Sequence, residues 1–102
     1  MHYILTYEFS AAYATRRGEY RQRHLDYAWA AVERGELLLG GAVGEPISQA
    51  LLVFTVDSPG TVEQFAQADP YVTSGLVKDW SVKPWHTVVG AAAANPIKRV
   101  GG

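Results

Sequence analysis

The chain predicts an α+β fold in which two helices cover one face of a four-stranded antiparallel sheet. Three observations carry this. Runs rich in β-branched and aromatic residues alternate with two helical patterns in the order strand, helix, strand, strand, helix, strand. Glycine, proline and serine fall where that order needs turns and caps. The 102 residues are 48% hydrophobic and 19% charged, enough for one domain with its own core and too apolar for disorder.

Tyr3-Ile4-Leu5-Thr6-Tyr7-Glu8-Phe9 reads as the first strand. A polar, arginine-rich segment follows, and from about Arg17 to Arg34 the pattern is helical. Tyr20, His24, Tyr27 and Ala31 recur at helical spacing, with Leu25, Ala28 and Val32 on an adjoining stripe. Gly35 suits the left-handed residue that ends a helix. Leu37 to Val43 is a short apolar strand whose Gly40 and Gly41 admit a close approach to the backbone. Gly44 to Gln49 has turn composition, so Ala50 to Val56 pairs with it as a hairpin. Ser58-Pro59 predicts an N-cap followed by proline at the first helical position. That helix runs to about Ala68 with Val62, Phe65 and Ala66 toward the core, and a last strand spans about Ser81 to Gly90.

The order β-α-β-β-α-β is the ferredoxin-like split βαβ unit. Both parities of the third strand are apolar: Leu51, Val53 and Thr55 alternate with Leu52, Phe54 and Val56, which predicts burial on both faces. With no third helix available, a homodimer packing sheet on sheet is the economical cover. Residues 1–90 then form the domain, and 91–102 a C-terminal tail that is frayed or laid along the partner.

Composition excludes several functions. Net charge is −1, and acidic Glu19 and Asp26 interrupt the densest arginine group, so the footprint of a nucleic-acid binder is missing. No apolar run reaches the ~20 residues of a membrane span, and no secretory signal is visible, which places the expectation in the cytoplasm. With zero cysteines, thiolate chemistry and disulfides are excluded. His2 and His86 have no companions at metal-ligand spacing, so no metal is expected. No phosphate-binding glycine loop or nucleophile elbow is present.

Two motifs remain. Asp69-Pro70-Tyr71 is followed by Gly75, and Arg21-Gln22-Arg23-His24-Leu25 places a histidine inside the helical stripe. Each has a bland reading: His24 as a satisfied core residue, Asp69 as the cap of a short turn. Taken together they suggest more, because Asp69 falls just past the second helix, beside the first. A carboxylate there can hold one imidazole nitrogen and leave the other to move protons near neutral pH. Arg21, one turn before His24, suits an anionic or phenolate oxygen of a substrate, and Arg17 lies four residues earlier; the bland reading of both, stronger for Arg17, is a solvated helix face. Tyr71 offers either a phenolic hydroxyl or an aromatic anchor. The candidate site is therefore His24 and Asp69 for proton transfer, with Arg21, Tyr71, Arg17 and Gly41 for binding.

Arg17…Arg21…His24-Leu25, Gly35-Glu36-Leu37-Leu38, Ala68-Asp69-Pro70-Tyr71…Gly75 and Val82-Lys83-Pro84-Trp85 together resemble the YciI-like (YCII-related) family over Tyr3 to about Gly90. The resemblance implies a dimeric α+β-barrel fold and a histidine–aspartate pair in a pocket, here His24 and Asp69. It also implies cofactor-free proton-transfer chemistry, since one branch is associated with dehydrochlorination of a chlorinated hydroxyhydroquinone and the fold resembles muconolactone isomerase. The functional expectation is a small-molecule lyase or isomerase without cofactor. The alternative is a ligand-binding or accessory dimer that uses the same pocket without turnover.

Overall fold

The computed structural model describes residues 1–98, so the last four residues of the expected tail lie outside the described residues. Its elements are β1 (His2–Phe9), α1 (Tyr13–Glu33), β2 (Leu37–Val43), β3 (Gln49–Thr55), α2 (Pro59–Ala68), α3 (Pro70–Thr73) and β4 (Val77–Trp85). The strands form one antiparallel sheet in the order β2-β3-β1-β4, the ferredoxin-like arrangement.

Alternation along β1 decides which face is covered. Tyr3, Leu5, Tyr7 and Phe9 are buried, while Ile4, Thr6 and Glu8 are only half-buried. Ala50, Leu52 and Phe54 of β3 join the first set in a core with Val62, Phe65 and Ala66 of α2, Ala31 of α1, and Leu76. Burying each large apolar side chain in this cluster contributes roughly 1.5–3 kcal/mol before chain entropy is counted. Ser58 caps α2 by accepting from the Gly60 N–H, and Pro59 opens it, as the sequence indicates.

The outer face is different. Leu51 is exposed and Val53 half-buried, so burial on both faces is not met within one protomer. Two boundaries also move. The first helix begins at Tyr13, four residues before Arg17, with no side-chain cap on Ala12. Tyr13 is fixed there by stacking on Phe9, ring centroids 3.7 Å apart. The last strand runs from Val77 to Trp85, not from Ser81 to Gly90. Its pairing ends at His2 with Trp85, and the β-branched run Thr87-Val88-Val89 lies beyond the ladder. A register shift between Glu8 and Phe9 carries its other end back to Val77.

Candidate functional site

Asp69 ends α2 and begins α3. Its backbone is extended, and its side chain caps α3 by accepting from the Tyr71 N–H at 3.0 Å. Pro70 supplies the pre-set first helical residue, and Gly75, at φ +86°, turns the chain out into β4. The bland reading of Asp69 as a cap therefore holds. It is incomplete, because the carboxylate has further partners.

The side chain of Asp69 is fully buried. His24, on the inward stripe of α1, places Nδ1 2.8 Å from Oδ1 and 3.0 Å from Oδ2. Tyr7, from the centre of β1 and itself fully buried, donates its hydroxyl to Oδ2 at 2.7 Å. One carboxylate thus gathers α1, β1 and α3. In the neutral ring a carboxylate facing Nδ1 favours the tautomer with its proton there, leaving Nε2 its lone pair. No described residue hydrogen-bonds Nε2. The Tyr71 ring stacks on the imidazole, centroids 4.0 Å apart and planes 6° apart, so the ring is held in plane as well as in direction.

His24 lines a cavity of about 430 Å³ between α1 and the β2 side of the sheet, a size suited to a small ligand. Tyr7, Phe9, Tyr13 and Tyr71 give it aromatic walls, Leu37 and Leu52 aliphatic ones, and Arg21 a guanidinium, the only Lys or Arg in its lining among the described residues. Gly40 and Gly41 form part of the β2 wall, and nothing lies within 4 Å of where a side chain at Gly41 would begin. A Cβ at Gly40 would sit 3.3 Å from Leu52 Cγ, so this position is tight where Gly41 is open.

The phenols carry the clearest electrostatic signature. Burial, reinforced by the charge of Asp69 and the hydrogen bond to it, raises Tyr7 far above the ordinary tyrosine value. Burial also raises Tyr71, with Tyr13 adding to the shift and the positive charges of Arg21 and Arg17 opposing it. Tyr27 is raised by burial and then by the charge of Asp69, and its hydroxyl donates to the Phe65 carbonyl at 2.8 Å. All three stay protonated donors at neutral pH.

The sequence-derived residues therefore divide. His24, Asp69 and Tyr71 are in mutual contact, and Arg21 and Gly41 reach the same cavity. Arg17 does not line it; its guanidinium lies over the Tyr13 ring, 5.7 Å from the centroid. Tyr71 presents its ring to His24, which favours the anchor of its two readings. Tyr7 was not foreseen, since alternation alone marks it as core; only the general need of a buried tyrosine hydroxyl for a partner hints at more. Among the described residues no group of three or more histidine, aspartate or glutamate side chains is placed to hold a metal ion.

Fold and cavity together define a small α+β protein with a histidine–carboxylate pair at the wall of a ligand-sized pocket. The chain belongs to the YCII-related domain family, whose model matches residues 1–86. Among solved structures it is similar to 5-chloro-2-hydroxyhydroquinone dehydrochlorinase (TftG) of Burkholderia phenoliruptrix AC1100 in complex with 2,5-dihydroxybenzoquinone. The TM-score is 0.72 at 18% identity, covering 85% of this chain and 95% of that one. It is also similar to a protein of Agrobacterium tumefaciens, with TM-score 0.55 at 16% identity, covering 92% and 98% of the two chains. At these identities the likeness is one of fold. Comparison with curated protein sequences gives no match. No helix among the described residues is long and apolar enough to cross a membrane.

Proposed function

We propose that this chain is a cofactor-free lyase or isomerase acting on small oxygenated molecules, with His24 as the group that accepts and returns a proton. The observation that carries the reading is the hydrogen bond from His24 Nδ1 to the buried Asp69 carboxylate, in a histidine whose opposite edge belongs to a cavity wall. Asp69 fixes the tautomer and balances the imidazolium that forms when Nε2 takes a proton. Arg21 binds the oxygen that gains charge. In an elimination, Nε2 removes a proton from a hydroxyl or an activated C–H, the freed electron pair becomes a new π bond, and the leaving group departs with its own pair. In an isomerisation, the imidazolium gives the proton back at another atom.

The structural neighbour named a dehydrochlorinase, holding a dihydroxybenzoquinone, supports substrates of this type. The aromatic walls and Arg21 suit the same chemistry: a planar ring lies against the walls while an oxyanion meets the guanidinium. The test is turnover of a panel of chlorinated hydroquinones, hydroxylated quinones and lactones by the wild type and by His24→Ala. Wild-type turnover that falls ~10²–10⁴-fold in the variant is expected. Turnover surviving in His24→Ala removes the histidine from the mechanism, and tight binding without turnover in the wild type leaves a ligand-binding protein.

A further inference from the structure

We infer that the His24 cavity takes an elongated ligand with two unlike ends. An acidic oxygen end is held at Arg21 and His24, and an uncharged hydrocarbon end runs along α1 toward Val32 and Leu37. For the proposed reaction the substrate is then a hydroxylated ring that carries an alkyl or aryl substituent, not a bare ring. The substrate class rests on the proposed function; the shape of the cavity stands without it. The first observation is how the lining is sorted. Its polar side chains gather at one end, where His24 and Tyr7 share Asp69. Tyr71 stacks on His24 there, and Tyr13 meets Tyr71 edge-on with ring centroids 5.9 Å apart. Arg21 lies one turn before His24. Beyond them α1 adds Leu25, Trp29 and Val32 to the lining and β2 adds Leu37, all uncharged. No aspartate or glutamate lines the cavity among the described residues.

The second observation is length, which the two walls give independently. Along α1 the lining runs from Arg21 to Val32, roughly 16 Å at the rise of a helix. Across the sheet, Tyr7, Ala50 and Ala42 form one inward row, Leu52 and Gly40 the next, and Phe54 with Leu37 the third. The first and third rows stand about 13 Å apart at the rise of a strand. Helix and sheet keep the same order. Tyr7 in the first row shares Asp69 with His24. Leu37 in the third follows the turn at Gly35, where the Glu36 N–H donates to the Ala31 carbonyl at 3.0 Å and ties the start of β2 to the end of α1. A single ring occupies the first stretch and leaves the apolar one to water. A cavity of about 430 Å³ is in the range that houses longer, drug-sized molecules.

The third observation is the floor. In the first row the sheet offers the cavity only the methyl groups of Ala42 and Ala50 beside Tyr7, and Gly40 in the next row has no side chain. Larger residues there would fill the space that lets head and tail lie in one line. The tail must be uncharged, because Leu25, Val32 and Leu37 offer a buried charge no partner. Trp29, 60% exposed, borders the apolar stretch on α1, and a hydrocarbon laid against its ring removes apolar surface of both from water.

The test is calorimetric binding of two ligand pairs to the full chain. One pair is 2,5-dihydroxybenzoquinone and its 3-butyl derivative. The other is butanoate and decanoate, which keep an acidic head without the ring. Each buried methylene is worth roughly fourfold in affinity, so the butyl compound should bind at least about thirtyfold tighter than its parent once chain ordering is counted. Decanoate should bind at least about a hundredfold tighter than butanoate. Arg21→Ala should weaken both pairs at the head. Trp29→Ala, at a side chain already exposed, should cut the gain from the butyl group at least threefold with the circular dichroism spectrum unchanged, roughly the loss of one buried methylene. A parent quinone that binds as tightly as its butyl derivative overturns the two-ended cavity and leaves the proposed substrate chemistry standing. A chain-length gain that neither variant alters places the tail elsewhere and overturns it too. Chain-length dependence among the carboxylates, with neither quinone bound, sinks the hydroxylated ring and leaves the two-ended cavity standing. No binding by any of the four overturns both.

Discussion

Replacing Asp69 separates its structural from its chemical role. In Asp69→Ala the Tyr7 hydroxyl and the Tyr71 N–H, both buried, lose their acceptor. Each stranded donor costs ~1–3 kcal/mol, and His24, beside the cavity, is rescued by water, so the loss is about 4 kcal/mol. For a domain of this size that lowers Tm by roughly 15–30 °C. In Asp69→Asn the amide oxygen still caps Tyr71, and the amide nitrogen meets the Tyr7 oxygen, which rotates its proton away. The Tyr7 proton is then the one stranded donor, so the loss is about half that of Asp69→Ala, ~1–3 kcal/mol. Chemically, Nδ1 keeps the amide oxygen at the Oδ1 position as an acceptor but loses its anion, so an imidazolium formed at Nε2 is no longer balanced. Thermal unfolding at one fixed protein concentration, with nitrogen-15 spectra of the imidazole, tests both halves. An Asp69→Ala protein that melts within 3 °C of wild type, or an Asp69→Asn protein whose imidazole nitrogen-15 resonances match the wild type, would refute the reasoning.

Tyr7→Phe removes one donor to a buried carboxylate and should cost ~1.5–3 kcal/mol by chemical unfolding. It should also change alkaline stability. Tyr7 is raised above its unfolded value of 10.0, so its contribution is complete below pH 10 and falls as pH rises beyond it. Stability against pH above 10 should therefore be shallower in Tyr7→Phe by about 1.4 kcal/mol per pH unit, and identical slopes would contradict the buried phenol. Arg21→Ala, which removes the cavity's cation, should raise KM for an anionic substrate roughly tenfold with a smaller effect on kcat, and Arg21→Lys should recover part of it. An equal effect from Arg17→Ala would contradict its placement outside the cavity wall.

Much of this architecture is legible in the sequence because local and long-range signals agree there. Leu37 to Val43 lies between a helix-ending glycine and a turn, and Ser58-Pro59 is an unambiguous helix start. The pairing of His24 with Asp69 is legible at one remove, since the element order lays both helices on one face and Asp69 at the end of the second. The rest depends on partners far along the chain. Nothing near Tyr13 announces a helix start; the stacking on Phe9 sets it. Val88 and Val89 have strand composition without a strand to meet. Arg17 shares a helix face with Arg21, yet one turn is enough to take it out of the cavity lining and over the Tyr13 ring. Tyr7 looks like any inward residue of β1 until its hydroxyl is followed to Oδ2.

That one carboxylate also caps α3 has a consequence for motion. The Tyr71 amide can trade its hydrogen with solvent only when the acceptor lets go, and letting go frees the imidazole at the same instant. Under the proposed function, slow isotope exchange at that single backbone position reports the same local opening that would release the base.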